Sequence, residues 1–217
     1  MTRLSWNSPG TRVFEAGVDR GVLYVNGKGV VWNGLIGVTE NPQGAAQRAF
    51  YVDGRKYLNE SLPEEYSATL DAFTYPDEFE ICDGTAYAGR GVYVDEQLRV
   101  PFNLCYRSLV GNDLQGADFG YRIHLVYQAL AAPSSKARGT ISDSVNPTTM
   151  SWNITTLPQD MRGYLPVSHS RFEEDESGTS LSFGRSSVWF CQSGAADDYA
   201  QRASRYFRDL GRLGSHS

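Results

Sequence analysis

The sequence predicts a mainly β protein built on antiparallel sheet, and three observations carry that expectation. Of its 217 residues, 22 are glycine, 13 tyrosine and 10 phenylalanine, a composition of turns and pleat-favouring side chains. Asn26-Gly27 and Asp53-Gly54 each sit between runs of valine and aromatic residues, where a type I′ turn needs positive φ at both centres. Two later segments, "QLRVPFNLCYRS" and "YRIHLVYQAL", alternate side chains with the period of a strand.

In chain order, "VLYVNGKGVVWNG" predicts a first hairpin, and "AFYVDGRKYLN" a second with strands at 50–52 and 55–58. Residues 65–74, "EYSATLDAFT", place Tyr66, Ala68, Leu70 and Ala72 on one side of a strand. The same residues also fit a helix; Tyr75-Pro76 as a stop and the threonine and tyrosine content favour the strand. "PDEFEICDG" predicts one helical turn: Pro76 is preorganised for it, Asp77, Glu78 and Glu80 suit its positive end, and Gly84 ends it.

In "QLRVPFNLCYRS", Leu98, Val100, Phe102, Leu104 and Tyr106 form an apolar face, and Arg99, Asn103, Cys105 and Arg107 a wet one. Pro101 cannot donate to a ladder, so this strand is expected at a sheet edge or with a bulge. In "YRIHLVYQAL", Tyr121, Ile123, Leu125 and Tyr127 oppose Arg122, His124, Val126 and Gln128, again one apolar and one wet face. Residues 131–149 predict a long loop, and "MSWNITT" a strand through Met150, Trp152 and Ile154. "EEDESG" reads as a solvated acidic run, and "AADDYAQRASRYFRDLGRLG" as an amphipathic helix over about 195–213 with Tyr199, Ala203, Phe207 and Leu210 as its stripe. The expected organisation is a β domain over 1–167 and a C-terminal extension over 168–217.

A net charge of −5 argues against gripping nucleic acid through its phosphates. No stretch approaches the roughly 20 apolar residues of a membrane span, and "MTRLSWNSPGTR" has no apolar leader core, so folding in cytoplasm without membrane partners is expected. Cys82, Cys105 and Cys191 are odd in number and far apart, which predicts free thiols. His124, His169 and His216 are dispersed, and no nucleophile elbow, HExxH helix, Walker or dinucleotide-binding pattern is present. "TYPDEFEICDG" and "GNDLQGAD", the latter with Asn112, Asp113 and Asp118, each lack the ligand order of a calcium loop. The expectation is a protein with no catalytic residues, metal or cofactor.

Taken in order, "NGLIGVTENPQG", "YVDGRKYLN", "ATLDAFTYPDEFEICDG", "FNLCYRSLVGNDLQGADFGYRIHLVYQALAAPSS" and "SWNITTLPQDMRGYLP" resemble the major tail (tail tube) proteins of long-tailed, non-contractile bacteriophages infecting actinobacteria. The resemblance covers about residues 33–166 and ends after about Val167. It implies an antiparallel β-sandwich or barrel-like tail tube fold with a flanking helix, assembling into stacked hexameric rings that conduct DNA without binding it specifically. The implied partners are copies of the chain itself, tape measure and tail terminator proteins, and the implied location is the virion. Under that reading Asp77, Glu78, Glu80, Asp83, Arg99, Arg107, Asn112, Asp113, Arg122 and His124 are the expected assembly or lumen-facing residues, and the loops at 40–48 and 131–149 order only when rings stack. Two competing roles are a lower-copy tail or baseplate component, and a tail-tip polysaccharide-binding or -cleaving module using the acidic cluster.

Overall fold

A computed structural model describes residues 6–134, 136, 138–140, 147–161 and 164–175. The chain forms β1 (Val13–Val25), β2 (Lys28–Trp32), β3 (Leu35–Glu40), β4 (Gln43–Gly44), β5 (Gln47–Val52), β6 (Arg55–Ser61), β7 (Glu64–Glu65) and β8 (Ser67–Ala72). A 3-10 turn (Asp77–Phe79) and α1 (Glu80–Asp83) follow, then β9 (Ala86–Gly89), β10 (Val92–Val94), β11 (Phe102–Asn112), β12 (Gly116–Ala131), β13 (Met150–Thr156) and β14 (His169–Asp175). The protein is mainly β and antiparallel, as its turn chemistry predicts.

The main sheet runs β2-β1-β11-β12-β13-β8-β3, with β14 also pairing with β12. β12 serves two partners on one edge: its end at Ala129–Ala131 pairs with β13, and Gly120–Val126 with β14. The sheet curls until β3 returns against β1, where Leu35 packs so closely over Gly21 that a Cβ there would lie 2.8 Å from the leucine Cδ2. A second close approach occurs at Gly111, where a Cβ would sit 2.4 Å from the Gly116 carbonyl oxygen and from Phe14 Cζ. Only a side chain of hydrogen fits there.

Both Asx-Gly pairs turn hairpins as expected, with φ of 49° and 77° at Asn26-Gly27 and 51° and 74° at Asp53-Gly54. The second hairpin is longer than predicted, because β3 pairs with β8, β4 with β7 and β5 with β6 in three successive antiparallel ladders. Gln43–Gly44 and Gln47–Arg48 are therefore strand, not the loop expected at 40–48. The helical turn also stands as read. Pro76 precedes it in extended conformation, Gly84 ends it at φ 81°, and the Gly84 N–H bonds the Glu80 carbonyl.

Of the two alternatives raised by Pro101, the edge position is not found, but the β11–β12 register shifts between Phe102 and Leu104, directly after the proline. β11 begins at Phe102, one residue after Pro101, and lies between β1 and β12 in the middle of the sheet. Pro101 therefore ends the preceding irregular stretch, and Leu98 in that stretch is 96% exposed. Nor do β11 and β12 have a wet face along their shared centre, although Gln128 and Leu130 near the end of β12 are exposed. Leu23, Leu104, Tyr106, Val126, Trp152 and Ile154 pack inside the curl with Phe79. On the opposite face Val22, Tyr24, Cys105, Ile123, Leu125 and Tyr127 form a second buried cluster with Val167 and Phe172 against it. Alternation marks a half-exposed strand only where one face meets water; a strand packed on both faces can carry the same pattern.

Glu173–Asp175, part of the predicted acidic run, continue β14 as strand, beyond residue 167. The helix expected at about 195–213 lies outside the described residues. "TAYAGRGVYVDEQ" contains a hairpin that sequence reading missed, β9 to β10, turned by Arg90-Gly91 at φ 53° and 77°. Its period-two alternation was the available signal; its arginine is an uncommon first residue for such a turn.

A candidate assembly arm and a buried polar cluster

The ladder from β3 to β8 leaves the main sheet after Glu40 and continues as a two-stranded ribbon to the turn at Asp53-Gly54. At ~3.3 Å per residue the projecting part is about 40 Å long. Tyr51, Val52, Tyr57, Leu58 and Leu62 are exposed along it, Tyr57 by 79%. An isolated two-stranded ribbon is marginal in water, and exposed aromatics on one are the composition of a contact surface. The β9–β10 hairpin repeats this on a smaller scale, with Tyr87 and Tyr93 in ring contact at 5.1 Å, both exposed.

The second feature lies inside the curl, where the apolar core gives way to polar side chains. Ser108 on β11 and His124 on β12 are buried, with Ser108 Oγ 3.0 Å from His124 Nε2. Glu15 from β1 accepts a hydrogen bond from Ser108 Oγ at 2.5 Å and pairs closely with Arg122. Burial raises the Glu15 pKa, but hydrogen bonds from Ser108 and Arg122 and the charge of Arg122 outweigh it and hold the carboxyl below its ordinary value. On the other side of the imidazole, His124 Nδ1 meets His169 Nε2 of β14 at 3.3 Å, and both nitrogens lie near Glu40 Oε1, at 3.5 and 3.8 Å. The Tyr106 hydroxyl donates to that same oxygen at 2.6 Å. Burial lowers the pKa of both histidines, against the raising influence of Glu40, so the rings are neutral at neutral pH. Sequence reading treated these histidines as dispersed; β14 brings His169 beside His124 by a pairing across 45 residues that no local pattern announces.

The ten residues expected at an assembly or lumen surface do not form one surface. Asp77 and Glu78 are exposed on the helical turn, and Glu80 beside them has its carboxyl pushed up by burial and by Asp77. Asp83 is buried: its carboxylate accepts from Trp152 Nε1 at 2.9 Å and Lys136 Nζ at 2.6 Å, with Arg99 at 3.7 Å. Asp83 and Arg99 are thus internal struts. Arg107 makes a two-pronged pair with Asp19 and lies 5.3 Å over the Tyr121 ring, while Arg122 and His124 belong to the polar cluster. Asn112 is buried and caps the following turn by accepting from the Leu114 and Gln115 N–H groups; Asp113 accepts from the Gly10 N–H at 2.9 Å. The Asn112 contacts are the turn chemistry of an Asx side chain, whereas the Asp113 contact joins distant segments of the chain.

Cys82 and Cys105 are free thiols with no exposed surface, and Cys191 lies outside the described residues. Burial, then the neighbouring Asp83 charge, pushes the Cys82 thiol up to about 12. At pH 8 neither buried cysteine is expected to be alkylated by iodoacetamide in the native protein, and both are expected to react in 6 M guanidinium. Peptide mapping by mass spectrometry reads this directly; rapid native labelling of Cys82 would contradict the packing around α1.

The sequence matches no family model, and no curated protein is similar to it. Among solved structures, the fold is similar to a chain in the cryo-EM structure of the anti-feeding prophage baseplate, six-fold symmetrised. The identity is 11%, over 73% of this chain and 96% of that one, with a TM-score of 0.35. It is also similar to a chain of the sheath-tube complex of an extracellular contractile injection system (PVC) in its extended state. There the identity is 13%, over 63% of this chain and 83% of that one, with a TM-score of 0.32. TM-scores below 0.5 carry no argument about function.

Proposed function

We propose that the protein is a virion structural component, a tail tube subunit that assembles into stacked rings forming a conduit for DNA. The observation that carries this reading is the projecting ribbon of β5 and β6, which exposes aromatic and aliphatic side chains on an element too small to be stable alone. A second copy of the chain is the partner that leaves no such ribbon unpaired in a closed ring, where every subunit gives an arm and receives one. The motif series over residues 33–166 supports the same reading, and the arm lies within it. The net charge of −5 suits a channel that lets DNA slide past. Asp83 is buried and Arg99 half-buried, so Asp77, Glu78 and Asp113, which are exposed, are the members of that set open to solvent in the single chain.

Electron microscopy of the purified chain tests the proposal. Ala46 and Leu62 face each other across the arm, joined by a 3.1 Å hydrogen bond, so residues 47–61 can be replaced by an Asn-Gly turn without disturbing the root of the ladder. The full chain is expected to form rings or hollow tubes of constant diameter. The shortened chain is expected to remain monomeric with nearly unchanged thermal stability. Equal assembly by the shortened chain would remove the arm from the mechanism, and a full chain that stays monomeric at high concentration would overturn the tube reading. Rings that never stack would favour the lower-copy tail or baseplate role.

A further inference from the structure

We propose that Glu40, His124 and His169 form a binding site for a divalent transition metal ion, Zn2+ being the best chemical match, inside the open end of the curled sheet. The three donor atoms are separated by 3.3, 3.5 and 3.8 Å. A triangle with those sides has a centre about 2 Å from every corner, the bond length Zn2+ makes to imidazole nitrogen and carboxylate oxygen. Two imidazoles and one carboxylate are also a donor set suited to that ion, which tolerates a fourth position held by water.

The surroundings set up the donors. The Ser108 hydroxyl gives its one proton to Glu15, so its oxygen must accept from His124 Nε2–H. That assigns the proton of the neutral His124 ring to Nε2 and leaves the Nδ1 lone pair facing His169 and Glu40. A carboxylate acting through a hydroxyl on the far nitrogen of a metal-binding histidine is the outer-shell arrangement that orients such ligands. Tyr106 stacks on His124 at 4.6 Å and 3°, and Tyr66 on His169 at 4.9 Å and 11°, so both rings are held between aromatic faces. Tyr106 also fixes the Glu40 carboxylate with its hydroxyl. The Tyr66 hydroxyl is buried beside Tyr106 and Glu40 without a well-formed hydrogen bond, a further oxygen at the site.

Access and consequence follow from the elements involved. His124 is buried, but the Glu40 side chain is 37% exposed, which provides an entry side for the ion. Glu40 ends β3, just where the arm leaves the sheet, whereas His124 and His169 lie on the paired strands β12 and β14. A bound ion ties the root of the arm to the centre of the sheet, a link the backbone ladder does not make. When the metal enters, His169 moves its ring proton from Nε2 to Nδ1 and no net proton is released from the two neutral rings.

The test uses the full chain without an affinity tag, stripped with EDTA and titrated with Co2+ as a spectroscopic stand-in and with Zn2+ by calorimetry. One equivalent is expected to bind, with a visible Co2+ d–d band and a raised Tm in excess Zn2+. His169→Gln and Glu40→Gln, both at partly exposed positions, are expected to fold and to weaken binding by about 100-fold or more, and Ser108→Ala by about 10-fold. His216→Gln, remote in sequence, is expected to leave binding unchanged. Absence of one-equivalent binding in the wild-type chain, or binding that survives both His169→Gln and Glu40→Gln, overturns the proposal and leaves the pair as a histidine–histidine hydrogen bond.

Discussion

Phe79→Ala is expected to destabilise the protein by about 4 kcal/mol, the largest loss from any single substitution considered for this chain. Phe79 has no exposed surface and stands at the centre of an aromatic cluster. Its ring lies 4.7 Å from Trp32, 5.2 Å from Trp152, 5.3 Å from Phe102 and 5.7 Å from Tyr75. Those residues come from β2, β13, the start of β11 and the approach to the helical turn. Truncation therefore leaves a cavity walled by four rigid segments, which cannot collapse to fill it. Urea denaturation is expected to show a lower midpoint at an unchanged m-value. Phe79→Leu, which keeps most of the volume, is expected to lose less than half as much. A loss below about 1 kcal/mol for the alanine variant would mean that the turn carrying Phe79 is not docked as described.

Asp83→Ala is expected to cost about 3 kcal/mol, although the residue sits in a run of acidic side chains of which Asp77 and Glu78 are exposed. Its carboxylate is buried and receives the Trp152 indole N–H and the Lys136 ammonium, with Arg99 near. Removing it leaves an indole donor without its partner and two cations facing each other across the vacated space. Asp77→Ala and Glu78→Ala, on the exposed side of the same turn, are expected to stay within about 0.5 kcal/mol of wild type. The contrast between neighbours is the informative quantity, and equal effects at Asp77 and Asp83 would sink the strut assignment. Lys136, in the stretch after β12, is pinned to the helical turn through Asp83.

The local devices were legible in the sequence because each depends on a few neighbouring residues. Asn26-Gly27 and Asp53-Gly54 specify positive φ at adjacent positions, and Pro76 and Gly84 bracket a helical turn by their own backbone limits. The alternation through Ala68, Leu70 and Ala72 identified β8 because the other side of that strand is only partly covered. The same logic misled at Cys105, where a weakly apolar side chain on the minority face suggested water and the structure put a second packed layer there, and at His124, which is buried inside the curl against Tyr106.

The polar cluster was the least legible feature. Glu15, Glu40, Ser108, His124 and His169 come from five strands, and the partners closest in space are far apart in sequence. No short motif records such a meeting, since the long-range register of each strand is settled by the burial of the whole sheet and not by its own residues. Asp83 was misplaced for the same reason. From its neighbours it is one acid among several, and only the approach of Trp152 and Lys136 distinguishes it.

By itself, then, the sequence determined the mainly β class, the turns at Asn26-Gly27 and Asp53-Gly54 and the helical turn at Pro76, all properties of short-range backbone and side-chain chemistry. Tertiary structure alone decided which faces are covered, that the chain between β3 and β8 forms a projecting arm, and that two distant histidines share a carboxylate. Those outcomes depend on where a curled sheet closes, which is a sum over contacts between residues that no local window contains together.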